Sequence, residues 1–200
     1  ARNCFPVPDT LSMDEAVLFE PLGVAIHAVD LGKIKVGRSV AVLGCGPIGL
    51  LILRLAKLAG AAPLFAFDQF DWRLDLAKQW GADQVINIKD GDPVAALKEA
   101  TNGRGVDVVF EAAWADQSVD QAMQMADLGG RVVMVGIPGD NQVNFMHSTA
   151  RRKGLSIMMC RRMKHTYPRA INLATAGLVD LPALVTHRFS LADAGKAFAL

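Results

Sequence analysis

The sequence predicts an α/β domain built on a doubly wound, parallel, six-stranded sheet, and three observations predict it. From residue 39 onward, short apolar runs alternate with amphipathic stretches, the order of strands and helices in crossover units. The runs at 106–110 and 131–135 are nearly continuous in β-branched residues, as expected of strands covered on both faces. Between the first strand and the first crossover helix stands Gly44-Cys45-Gly46-Pro47-Ile48-Gly49, a glycine turn of the kind that joins a strand to a phosphate-facing helix.

Residues 1–10 are turn-rich around Pro6 and Pro8, and a helix opens near Ser12, where Glu15 completes a capping box. The helical pattern stops at Glu20 and Pro21 and resumes to Asp30. Strands are predicted at 39–43, 64–68, 84–87, 106–110, 131–135 and 155–160. Helices at 47–59, 72–80, 93–101 and 118–128 carry apolar residues at helical spacing, each followed by a glycine suited to end it: Gly60, Gly81, Gly103 and Gly129. After Cys160 a basic stretch leads to a helix at 168–177, a turn at 180–182 and a short strand at 184–189. No internal repeat or low-complexity tract interrupts this order.

Composition excludes several function classes. With 200 residues, 52% hydrophobic and 20% charged, the chain can bury one good core. Its 21 Lys plus Arg against 20 Asp plus Glu leave a formal charge of +1, which supplies no basic field for nucleic acid. Small molecules or another subunit are the expected partners. No apolar run is long enough for a bilayer and the opening residues lack the order of a secretory signal, so a cytoplasmic protein is expected. Cys4, Cys45 and Cys160 are odd in number and widely separated, which supports neither a disulfide framework nor a closed cysteine-rich zinc site.

The glycine loop carries the strongest chemical signal. Gly44 permits the tight turn, Gly46 lets backbone amides approach a pyrophosphate, and Gly49 lets the helix beginning at Pro47 pack close to its strand. That helix then turns its free amides and positive dipole end toward the phosphates. The second strand ends in Asp68, at the distance where a carboxylate accepts from both adenosine ribose hydroxyls. A 2′-phosphate there would meet like charge, which favours NAD over NADP. Glycine turns also serve packing, and methyltransferases carry related loops. Arg73 reads equally as a ribose contact and as a solvated helix arginine. Glu111 and Val135-Gly136-Ile137 end later strands, where ligands of such sheets collect; ordinary connections would look the same. Trp114 reads first as a ring capping the core and second as one stacking on a cofactor.

Taken together, Glu20-Pro21-Leu22-Gly23-Val24-Ala25-Ile26-His27-Ala28, Val42 through Gly49, Gly81-Ala82-Asp83, Gly129 through Gly136 and Leu184-Val185-Thr186-His187-Arg188-Phe189 resemble the medium-chain dehydrogenases, specifically the zinc-dependent sorbitol, xylitol and threonine branch. The likeness runs from Ala1 to Leu200. It implies a Rossmann nucleotide domain over 21–162, with 1–20 and 163–200 belonging to a GroES-like catalytic domain that is mostly absent, so the chain reads as truncated and inactive alone. It also implies that Glu20 binds the catalytic zinc or its water, that Ile48, Asp68 and Arg73 contact NAD, and that Val135, Gly136, Ile137, Cys160, Arg161 and Arg162 line the nicotinamide half. Arg162 would further reach a polyol or the zinc-bound water. Two positions depart from the family pattern: Met163 follows that arginine where an aromatic is common, and Trp114 replaces a Gly or Ser. His27, His147, His165 and His187 match no zinc ligand. The implied activity is NAD-dependent, zinc-assisted hydride transfer to or from a secondary alcohol or polyol, in a homodimer or homotetramer that pairs along 155–160. A zinc-free NADPH quinone or enoyl reductase, a methyltransferase and a non-enzymatic dinucleotide module are the alternatives; Glu20 and Asp68 speak against the first.

Overall fold

The computed structural model describes residues 4–115, 117–139 and 142–199. The first three residues of the turn-rich opening lie outside the described residues. Six parallel strands, β1 (Val40–Leu43), β2 (Leu64–Asp68), β3 (Gln84–Asn87), β4 (Val106–Glu111), β5 (Ala126–Met134) and β6 (Ser156–Met159), form one sheet in the order β3-β2-β1-β4-β5-β6. The direction of winding reverses between β1 and β4, the switch point outside which such sheets bind ligands. Register aligns the strand ends: Leu43 pairs with both Phe67 and Glu111, and Glu111 with Met134. Gly44, Asp68, Ala112 and Val135 therefore emerge level at one edge of the sheet.

Side chains alternate across each strand, so the sheet separates two cores. Val40, Val42, Leu64, Ala66, Val108, Phe110 and Val133 pack beneath α2 (Phe19–Gly32), α3 (Pro47–Leu58), α4 (Asp71–Gln79) and α8 (Tyr167–Thr175). Ala41, Leu43, Phe65, Phe67, Val109, Val132 and Met134 pack beneath α5 (Pro93–Ala100) and α6 (Ser118–Met125). No described helix is long and apolar enough to cross a membrane.

The capping box is present at α1 (Met13–Ala16): the Glu15 amide donates to Ser12 Oγ at 3.2 Å, and Glu15 Oε2 accepts from the Ser12 amide at 2.8 Å. The predicted break at Glu20 and Pro21 is not there. Helix α2 runs unbroken from Phe19, because Pro21 falls in its first turn, where the missing N–H has no helical acceptor to lose. The helix predicted to reach 128 ends at Met125, and Ala126 already pairs with Val106 in β5. Lys153, on the unforeseen α7 (His147–Lys153), stops it by donating Nζ bonds of 2.6 to 3.1 Å to the carbonyls of Met123, Gln124 and Ala126. Gly129 accordingly lies inside β5. Residues 184–189 are not a strand: a 3-10 turn covers Leu181–Leu184, and no described strand runs alongside to complete a ladder. Strand β6 is the sheet edge, as expected.

Asp107, at the start of β4, ties that strand to β1. Its carboxylate accepts from the Ser39 amide at 2.9 Å and the Ser39 hydroxyl at 2.7 Å, and pairs with Arg38 and, at 3.2 Å, Arg104. Burial alone would raise the carboxyl pKa; the bonds from Ser39 and Arg38 outweigh it and hold the group below its ordinary value. A depressed acid contributes stability above its unfolded pKa of about 3.9 and loses it as pH falls through the folded value. Asp107→Asn is therefore expected to cost about 1–2 kcal/mol in urea unfolding at neutral pH, with the difference from wild type vanishing in acid.

Candidate functional site

The cleft begins where β1 ends. Gly44 has φ +90°, and a Cβ there would lie 2.7 Å from the Ala112 carbonyl oxygen, so both its turn and its neighbour demand glycine. Gly49 is excluded from growing by closeness alone: its Cβ would fall 1.8 Å from the Gly44 carbonyl oxygen. Gly46 is the opposite case. It caps α3 with an ordinary φ of −68°, and nothing lies within 4 Å of its Cβ position. Local crowding thus explains two glycines and leaves the third beside open space, at the end of a helix whose first-turn amides, Ile48 and Gly49, have no helical acceptor. Pro47 occupies the first helical position, where a proline loses no bond.

Asp68, 6% exposed at the end of β2, is pinned into this loop. Its Oδ2 accepts from the Cys45 amide at 2.7 Å, and its Oδ1 from the amides of Gln69 and Phe70 at 2.8 and 3.0 Å. Each carboxylate oxygen has two lone-pair sites, so acceptor capacity remains on both. Arg73 stands 3.6 Å from Oδ2 with its guanidinium 4.8 Å from the Phe70 ring and 5.0 Å from that of Trp72; its buried Nε has no partner. Gly44, Gly46, Asp68, Arg73, Ala112 and Ser118 line a cleft of about 290 Å³. Burial pushes the neighbouring Cys45 thiol up to about 12, which leaves it an inert packing group.

A second opening, about 430 Å³, continues from Ala112 along Ile48, Trp114, Val135, Gly136 and Ile137. Trp114 does not cap the core: it is 65% exposed and takes a left-handed φ of +52°. The left-handed turn carries the indole outside the core of Met134, Val119 and Met123, in which it takes no part. Glu111, 2% exposed, faces inward and shapes that turn. Its Oε1 accepts from the amides of Ala113 and Trp114 at 3.0 and 3.2 Å and from the Ser118 hydroxyl at 2.7 Å. Ser118, at the start of α6, was absent from the expected site; its signal was a hydroxyl at a helix start seven residues after a strand-ending acid.

The remaining predicted residues line neither of these openings. Glu20 is exposed in the first turn of α2. Cys160 is half-buried beyond β6 with its thiol pushed up by burial to about 11, and Arg161 and Arg162 are exposed, Arg162 at φ +45°. Their loop docks on α2 through Thr166, whose Oγ1 donates to the Gly23 carbonyl at 2.9 Å, one turn from Glu20. His27 is buried there, its pKa lowered by burial and by Lys164. No group of three or more His, Cys, Asp or Glu among the described residues could hold a metal ion.

Comparison with known proteins accords with this geometry. The chain is 36% identical to sorbitol dehydrogenase of Bacillus subtilis over 187 residues, covering 94% of this chain and 53% of that protein. It is 37% identical to D-xylulose reductase of Saccharomyces cerevisiae over 199 residues, covering 97% and 56%. Its fold superposes on a zinc-binding dehydrogenase from Sinorhizobium meliloti bound to NADP with a TM-score of 0.92 at 32% identity, over 98% of this chain and 58% of that one. The chain thus spans little more than half the length of these relatives. A sequence profile described as zinc-binding dehydrogenase matches residues 47–176, from the proline of the glycine loop through α8. Carrying the nucleotide-binding fold of those enzymes, the chain belongs to the zinc-binding dehydrogenase family.

Proposed function

We propose that this chain binds NAD and serves hydride transfer between its nicotinamide and a secondary alcohol or polyol. The observation that carries the reading is the open space beside Gly46, flanked by free helix amides on one side and the Asp68 carboxylate on the other. The amides would take the pyrophosphate, and Asp68 the two adenosine ribose hydroxyls. Although the Sinorhizobium meliloti neighbour is bound to NADP, a 2′-phosphate here would meet the pinned carboxylate, and Arg73 is already engaged beside it. The same carboxylate argues against an NADPH-dependent, zinc-free reductase. When bound, the nicotinamide supplies the hydride acceptor or donor.

Val135, Gly136 and Ile137 would form the apolar wall of the nicotinamide half, excluding water from the transfer; Cys160 and Arg161, outside both openings, are assigned to the same half by the family resemblance alone. Glu111 acts by holding the turn that carries Trp114 beside this wall. The polyol relatives motivate two further assignments: Glu20 as a carboxylate toward metal or substrate, and Arg162 as a donor that orients the substrate oxygen. Glu20 alone does not constitute a zinc site. Homodimerisation or homotetramerisation through the β6 edge fits its exposed Met159, and the free thiols fit a cytoplasmic setting.

Calorimetric titration with NAD and NADP tests the cofactor assignment. Wild type is expected to prefer NAD and Asp68→Ala to lose that preference; no binding of either by wild type would refute the reading. The glycines separate fold from function. Gly46→Ala should leave the melting temperature unchanged while weakening NAD by at least about tenfold, one lost charge-assisted contact being worth roughly 1.5–3 kcal/mol. Gly49→Ala should lower stability by about 1–3 kcal/mol or more, since backbone must move to admit the methyl group.

A further inference from the structure

We propose that Trp114 is a cofactor-binding residue, its indole covering the nicotinamide half of the bound dinucleotide; this rests on the dinucleotide reading above. A large apolar side chain that is 65% exposed contributes little to the fold, and a non-glycine residue at φ +52° costs strain. The surrounding structure nonetheless enforces both. Its amide is bound by the buried Glu111 carboxylate, itself fixed by the Ser118 hydroxyl. The indole borders the opening of about 430 Å³ together with Ile48, Val135 and Ile137, and reaches over the 136–139 loop, its ring edge 3.9 Å from where a Gly139 Cβ would sit.

Strain, exposure and firm support together suit a platform awaiting a ligand. Continuity identifies the ligand's chemistry. Ala112 lines both this opening and the cleft that holds Asp68, so a molecule with its adenosine at Asp68 and its pyrophosphate at Gly46 extends past Ala112 to the indole. Beyond the pyrophosphate, a nicotinamide dinucleotide carries a ribose and a flat aromatic ring, the shape an exposed indole and three aliphatic side chains can cover. Ile137, 80% exposed across the same opening, is the second group left open to it.

The test compares NADH with ADP-ribose, which lacks the nicotinamide ring, on wild type, Trp114→Phe and Trp114→Gly. In wild type, tryptophan emission should transfer to the reduced nicotinamide. Both variants should lose the Trp114 share of that transfer, leaving what Trp72 and Trp80 supply, and Trp114→Gly should bind NADH about three- to tenfold more weakly, as expected for one aromatic contact. ADP-ribose affinity should not change. The melting temperature of ligand-free Trp114→Gly should be no lower than that of wild type, because glycine accepts the left-handed backbone. Unchanged NADH affinity and energy transfer in both variants would overturn the assignment and leave the cofactor reading standing. Failure of wild type to bind either compound would overturn both.

Discussion

The cleft depends on how closely α3 approaches the loop that starts it. A single methyl group on Gly49 would fall 1.8 Å from the Gly44 carbonyl oxygen, so helix and loop are in backbone contact. That contact brings the first-turn amides of α3 to the edge where β1, β2 and β4 end level with one another. Gly44 fits there only because its left-handed φ and lack of a side chain tolerate the Ala112 backbone 2.7 Å from its Cβ position. Crowding on two sides thus leaves the third glycine, Gly46, beside the direction open to a ligand.

Asp68 extends this arrangement rather than merely bordering it. The bond from the Cys45 amide to Oδ2 couples the end of β2 to the glycine loop, while the Gln69 and Phe70 amides fix the other oxygen. A buried carboxylate held by three amides has its acceptor directions set before any ligand arrives, and this preorganisation lowers the ordering cost of binding. Glu111 repeats the device one strand beyond β1. There the carboxylate points inward, accepts from two amides and a hydroxyl, and sets the turn bearing Trp114. Two strand-ending acids thus divide the work, one facing the cleft and one building its wall.

The sheet and the glycine loop were legible because their signals are local. Alternation in strands, unbroken β-branched runs and glycines at fixed spacing arise from backbone geometry within a few residues. The features that escaped prediction depend on contacts distant in sequence. The end of α6 is set by Lys153 from α7, some thirty residues on. The 184–189 segment has strand-like composition but no described strand beside it. Trp114 resembles a core residue by size, and only the left-handed turn fixed by Glu111 puts it outside. The break expected at Pro21 fails for a local reason, since a proline belongs in a first turn as readily as in a break. Helix α7 did carry a local signal, three basic residues in its last turn followed by left-handed Gly154.

A crystal structure of the chain grown with NAD addresses the central claim most directly. The pyrophosphate is expected against the Ile48 and Gly49 amides, above Gly46, with both adenosine ribose hydroxyls donating to Asp68. A dinucleotide bound elsewhere, or bound at the loop with its ribose turned away from Asp68, would contradict it.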